Sequence, residues 1–244
     1  MKPKRLSFMW GGNPETPKPP LNYRIVYAVN SLLNFYERRA TILKNGEIIE
    51  VAPLSEVESI HFPPDFPEMK CFYTDGLSSL LFTMKDKIKK DLYEKTIRHV
   101  GHPEGIEVLK SCGLFSLKPI NLKNQEVVPR KVLENVLDSR MKLGDEKDVT
   151  LLRIEVAGQK EGKLTTHTFE MIDRYDELNS YTSMSKTTGF PASIAAQMLA
   201  AEIISRRGIL FPENIFNAEL FEPFIKELKK RGVVVKKKTK SKEQ

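Results

Sequence analysis

The stretch Ala40-Thr41-Ile42-Leu43-Lys44-Asn45-Gly46-Glu47-Ile48-Ile49-Glu50-Val51 sets two short, apolar, β-branched runs on either side of Asn-Gly. Asn-Gly favours positive φ at both central positions of a tight turn, so the segment reads as a hairpin with a two-residue loop. An antiparallel pair so early in the chain argues against a sheet built only from βαβ crossovers. Working outward, Arg5–Trp10 alternates like a strand, and Pro14, Pro17, Pro19 and Pro20 form a connection that is neither helix interior nor central strand. Tyr23–Val29 is an apolar run with the look of a buried strand, and Ser31 is placed to cap a short helix over Leu32–Tyr36.

Downstream, Glu58–Phe62 and Met69–Tyr73 are expected strands separated by Pro63, Pro64 and Pro67. Thr74-Asp75-Gly76 turns into a helix over Leu77–Met84, and Tyr93–Val100 is a strand ending at Gly101-His102-Pro103. Pro103 suits a first helical position for Glu104–Ser111, and Gly113 suits its end. Pro129–Leu143 has helical apolar spacing, and Asp148–Gly158 with Leu164–Tyr175 form a long hairpin. Ser193–Ile204 and about Ala218–Arg231 are the remaining helices, followed by Val233–Val235. Strands and helices interleave without regular βαβ spacing. The expectation is an α+β fold with a mixed, mainly antiparallel sheet covered by helices.

The net charge of +7 sits at one end, because Lys226–Gln244 holds nine basic residues and two acidic ones. The domain is read as residues 1–235, and the Lys-rich 236–244 as a solvated, disordered tail. That tail is the sole support for nucleic-acid binding, which is therefore not expected. No apolar run is long enough to span a bilayer, and the N-terminus lacks the apolar core of a signal peptide. Cys71 and Cys112 read as buried thiols, and the localisation expected is cytoplasmic.

No two glycines stand one residue apart, so G-x-G is missing, as are the Walker A loop and G-x-S-x-G. No cofactor is expected to bind this chain alone. His99 and His102 lack a second pair, so no metal site is expected either. Two constellations carry chemistry. In Tyr73-Thr74-Asp75-Gly76-Leu77-Ser78-Ser79, Asp75 either caps the helix or leaves first-turn N–H groups for a carboxylate. In Glu94-Lys95-Thr96-Ile97-Arg98-His99-Val100-Gly101-His102, alternation puts Lys95, Ile97 and His99 on one face and Thr96, Arg98 and Val100 on the other. Arg98 suits a bidentate grip on a carboxylate, from a substrate or from a structural partner. His102 suits general acid–base work or a helix-capping role.

These residues, with Gly11-Gly12-Asn13-Pro14, Pro20-Leu21-Asn22-Tyr23-Arg24, Lys44-Asn45-Gly46-Glu47, Arg174-Tyr175-Asp176, Thr187-Thr188-Gly189-Phe190-Pro191 and Arg207-Gly208-Ile209-Leu210, resemble the C-terminal domain of saccharopine dehydrogenases, and more closely the lysine 6-dehydrogenase branch. The resemblance runs from about residue 5 to 235. It implies the substrate-binding and oligomerisation part of an NAD(P)-dependent amino-acid dehydrogenase acting on lysine or saccharopine. The chemistry implied is hydride transfer at a carbon bearing nitrogen. NAD or NADP would be held by a Rossmann half outside this chain, so the chain is expected to be inactive alone. A homodimer, or a separate Rossmann-domain partner, is implied as well. The alternative is a non-catalytic dimerisation module derived from such an enzyme. Carried over residue by residue, Trp10, Gly11 and Gly12 would floor the pocket, with Tyr23 and Arg24 on the next strand. Arg98 would clamp a substrate carboxylate. Asp75 would recognise the substrate, Lys95 and His102 would handle protons, and Thr187 and Thr188 would hydrogen-bond the substrate or a loop.

Overall fold

The computed structural model describes residues 1–63 and 66–242. The expected hairpin is present as β2 (Ala40–Lys44) and β3 (Glu47–Val51), with Lys44 opposite Glu47. Asn45 and Gly46 take φ of 54° and 88°, the doubly left-handed turn that Asn-Gly tolerates best.

Around it a nine-stranded sheet is assembled from β1 (Lys2–Pro14), β4 (Glu58–Ile60), β5 (Met69–Tyr73), β6 (Asp91–His99), β9 (Asp148–Lys160), β10 (Lys163–Arg174) and β11 (Lys236–Lys242). Its main path runs β11-β10-β9-β1-β6-β2-β3, and β5 joins β6 on the side of β2. The ladder between β1 and β6 is parallel, and the other strand pairs are antiparallel. A second, two-stranded sheet joins β7 (Ile120–Leu122) to β8 (Gln125–Val127). The α+β class and the mixed, mainly antiparallel sheet expected from the sequence are therefore both found.

The helices are α1 (Val29–Phe35), α2 (Leu80–Met84), α3 (His102–Ser111), α4 (Pro129–Arg140), α5 (Ser183–Ala200), α6 (Pro212–Ile215) and α7 (Ala218–Lys230). Leu32, Leu33, Tyr36, Ile106, Leu133, Leu137 and Phe72 form one buried cluster that binds α1, α3 and α4 to the face of β5. Met171, Ile194, Met198 and Leu228 form another, which joins α5 and α7 to β10.

Several expectations are corrected. Tyr23–Val29 is not a strand, for it makes only one bridge, Ile25 to Lys142. Tyr23 and Ile25 are buried as a loop whose Ile25 N–H donates to the Met141 carbonyl. Burial, not ladder formation, explains that apolar run. Ser31 caps nothing, because α1 begins before it at Val29. The helix placed at Ser193 starts ten residues earlier, at Ser183, and carries Pro191 inside it. Its first turn is held by a tertiary partner: both oxygens of Asp148 accept from the Ser183 and Met184 N–H groups, while Thr182 accepts from Ser185. Cys112 is exposed, and only Cys71 is buried.

The Lys-rich end is a strand through Lys242. β11 pairs antiparallel with β10, Lys238 meets Glu170 at 3.0 Å, and Thr239 meets His167 at 2.8 Å. The sequence-based reading of a disordered end applied a charge rule without knowing that an open sheet edge lay next to it. Pro64, Glu243 and Gln244 lie outside the described residues.

Candidate active site: a buried arginine among phenols

Strand β6 runs through the middle of the sheet, with β1 on one side and β2 and β5 on the other. Strand alternation places Glu94, Thr96 and Arg98 on the face beneath α1 and α3, and Lys95, Ile97 and His99 on the reverse.

Arg98 is 3% exposed, and each of its three nitrogens has one partner. Its Nε donates to the Tyr36 hydroxyl at 3.2 Å, Nη2 to the Tyr27 hydroxyl at 3.3 Å, and Nη1 to the Ile97 carbonyl at 2.8 Å. The Tyr23 ring stacks beneath it, 4.8 Å from the guanidinium carbon. None of these partners is a carboxylate. A guanidinium stays charged at every physiological pH, so a positive charge stands here in a shell of neutral dipoles. It has five N–H donors, three of them used, which leaves one free on each terminal nitrogen. One buried polar atom nearby on β1, Asn13 Oδ1, has no hydrogen-bond partner among the described residues. Such an orphan costs about 1–3 kcal/mol. Burial raises the pKa of all three phenols, that of Tyr27 to about 12, so they remain neutral donors.

Gly11 is part of this site through what it lacks. A Cβ there would stand 2.2 Å from the Ile97 carbonyl oxygen and 2.7 Å from Arg98 Nη1. A Cβ on Gly12 would meet the Met184 methyl at 2.2 Å. His102 is fully buried at the start of α3, with its Nδ1 2.9 Å from the Leu21 carbonyl and its Nε2 2.8 Å from the Tyr36 hydroxyl. Burial, and then the nearby Arg98 charge, push its pKa down to about 3, so the ring is neutral.

Gly11, Tyr23, Arg98 and His102 are thus brought together, with Gly12 adjoining. The other sequence candidates lie elsewhere. Lys95 is on the opposite face of β6, bound to Glu58 at 2.8 Å and to the Glu56 carbonyl. Arg24 is paired with Glu146 at 2.9 Å. Asp75 lines a surface cleft of about 260 Å³ with Ser31, Asn34, Phe35 and Arg38. Phe35 at its wall packs edge-on to Tyr27, so cleft and arginine are separated by one aromatic pair. Thr188 is exposed on α5, 3.6 Å from Met184 Sδ, and Thr187 bonds back to the Ser183 carbonyl. Trp10 is half-buried on β1.

Sequence reading missed Asn13, Tyr27, Tyr36 and Glu94 as site residues. Glu94 was legible from strand period alone, since it shares the face of Arg98 four residues away. Its carboxyl is 2% exposed and accepts from Thr74 at 2.7 Å and Thr96 at 3.3 Å. Burial pushes its pKa up to about 8.

The β1–β6 pair is not the strand–helix–strand unit that cradles a dinucleotide. The parallel β1–β6 pair is separated in sequence by α1, β2–β5 and α2, and the helix that follows β6 opens on a buried His102 and on Pro103, which has no N–H to offer. Among the described residues no helix is long and apolar enough to cross a membrane, and no cluster of His, Cys, Asp or Glu is arranged for a metal.

Comparison with known proteins places these features in a family. The fold is similar to that of apo histidine-tagged saccharopine dehydrogenase (L-Glu forming) from Saccharomyces cerevisiae, with a TM-score of 0.79 at 21% identity, over 98% of this chain and 67% of that one. Saccharopine dehydrogenase [NADP(+), L-glutamate-forming] of Schizosaccharomyces pombe is 33% identical over 127 residues, which are 51% of this chain and 27% of that protein. Mitochondrial alpha-aminoadipic semialdehyde synthase of Rattus norvegicus is 28% identical over 133 residues, 51% of this chain and 14% of the relative. The matched part is thus a fraction of each curated relative's length. The model of the saccharopine dehydrogenase C-terminal domain matches residues 2–233, and this chain belongs to that family.

Proposed function

We propose that this chain is the substrate-recognising and subunit-contacting part of an NAD(P)-dependent amino-acid dehydrogenase acting on lysine or saccharopine. The nucleotide is held by a domain outside these 244 residues, and the chain by itself turns over no substrate. The observation that carries the reading is Arg98, a buried fork without a carboxylate, near the unpartnered Asn13 Oδ1. A substrate carboxylate would take the two remaining guanidinium N–H groups, and a donor on the same substrate would give Asn13 Oδ1 a partner. The nicotinamide, when bound, supplies hydride transfer at the carbon bearing nitrogen. This chain's part is to hold the amino acid at its carboxylate end, fix its orientation and keep water out.

The test is calorimetry of saccharopine and of lysine against the chain combined with a nucleotide-binding domain of the family and NADP+. Arg98→Lys keeps the charge and loses the fork. It is expected to weaken binding of the true substrate by about ten- to a hundred-fold. Undiminished binding in Arg98→Ala overturns the clamp. Self-association of a chain that takes up neither amino acid would leave the dimerisation-module reading in its place.

A further inference from the structure

We propose that Tyr36 and His102 are positioning residues, forming a one-way hydrogen-bond relay that fixes the plane of Arg98 against the backbone. The inference rests on the reading of Arg98 as a carboxylate site, and extends it to residues that touch no substrate.

The relay has four members: Arg98 Nε, the Tyr36 hydroxyl, the His102 ring and the Leu21 carbonyl, linked at 3.2, 2.8 and 2.9 Å. Chemistry at its two ends fixes every proton between them. A guanidinium only donates and a carbonyl only accepts. His102 must therefore carry its proton on Nδ1, to reach the Leu21 carbonyl, and leave Nε2 as the acceptor. Tyr36 must turn its proton toward Nε2, which presents its oxygen lone pair to Arg98. No second arrangement satisfies all three contacts with neutral groups. Protonating His102 would give Nε2 an N–H as well, and the Tyr36 proton would have to swing back toward the arginine.

The surroundings keep the relay in that state. The groups facing His102 are Arg98, Tyr36 and Tyr23, with the His99 ring further off. None is an anion, so nothing rewards a charge on the imidazole. The Tyr23 ring packs 4.9 Å from the His102 ring while stacking under Arg98, so one side chain braces two members of the relay. Leu21 belongs to the Pro-rich connection, and His102 opens α3. The relay thus ties the orientation of Arg98 to the loop that follows β1 and to the first turn of α3. With Nε committed to Tyr36, the two free donors on the terminal nitrogens keep a constant direction, which two oxygens held in one plane require.

The experiment is NMR on the full chain labelled with nitrogen-15, in three variants: wild type, Tyr36→Phe and Arg98→Lys. In the wild type His102 is expected as the Nδ1–H tautomer, without titration from about pH 5 to about pH 9. A His102 that carries its proton on Nε2, or titrates near its ordinary value, overturns the relay whatever the ligand does. The Arg98 Nε–H is expected to exchange with water at least about ten-fold faster in Tyr36→Phe, with the folded spectrum otherwise kept. Glutarate, a simple dicarboxylate, is then titrated while the Arg98 Nε–H is followed. The affinity is expected to fall about ten-fold in Tyr36→Phe and about ten- to a hundred-fold in Arg98→Lys. If Tyr36→Phe binds as the wild type does and Arg98→Lys binds more weakly, the relay is wrong and the carboxylate site stands. If wild-type Arg98 does not respond to glutarate, the carboxylate reading falls and the positioning role falls with it. Should Tyr36→Phe fail to fold, the tautomer of His102 in the wild type decides.

Discussion

At the scale of single residues, one buried strand face of this protein carries a permanent cation and a carboxyl that make no hydrogen bond to each other. Arg98 is surrounded by phenols and Glu94 by threonine hydroxyls, with Thr96 between them. For Glu94 the consequence is a dependence of stability on pH. Its folded pKa of about 8 lies above the ordinary value of 4.5. Below the ordinary value the carboxyl is protonated in both states and costs nothing. As pH rises through that window the unfolded chain ionises freely while the folded chain holds its proton, so stability falls until the folded pKa is passed. Glu94→Gln should therefore be more stable than the wild type at pH 9 by a few kcal/mol, with the difference shrinking toward pH 5. Urea melts of both proteins across that range would check it, and a gap that widens toward acid would contradict it. Gly11→Ala is expected to cost about 1–3 kcal/mol or more, because its methyl meets the rigid Ile97 carbonyl before it meets the movable Arg98. A denaturation midpoint unchanged from wild type would show that the strand can shift.

At the scale of elements, turns were the most legible parts. The Asn45-Gly46 hairpin follows from local chemistry, and Gly46→Ala, at φ 88°, should cost about 1 kcal/mol through backbone strain alone. Thermal melts would show it as a small downward shift. Two elements escaped reading because their partners are distant in sequence. The first half of α5, with Gly189 and Pro191, looks like a loop until Asp148 from β9 takes its first N–H groups. β11 looks like a solvated tail until Glu170 and His167 of β10 meet it. Removing the chain beyond Val235 should cost modest stability and uncover the edge of β10. Concentration-dependent self-association in sedimentation would be the sign, since an unpaired edge is a template for pairing.

At the scale of the whole molecule, the charge balance changes meaning once the sheet is seen. The +7 of the last residues is partly compensated by a cross-strand carboxylate, and five lysines guard an edge of the nine-stranded sheet. Salt should therefore weaken the hold of β11 before it disturbs the core. Hydrogen exchange of β11 amides is expected to speed up at high ionic strength while those of β6 stay protected, and equal acceleration of both would refute this.

The sequence by itself determined the class of fold, the Asn-Gly hairpin, the long β9–β10 hairpin, the family, and Arg98 as the residue on which a carboxylate reading turns. All of these rest on short-range patterns: a turn that needs positive φ, an alternation of period two, a motif in order. Only the tertiary structure decided which candidates share a site. It gathered Gly11, Tyr23, Arg98 and His102, gave Lys95 to Glu58 and Arg24 to Glu146, and brought in Asn13, Tyr27 and Tyr36. The reason is physical. Which donor meets which acceptor is set by the packing of loop, helix and strand from separate parts of the chain, and no local pattern records that distance.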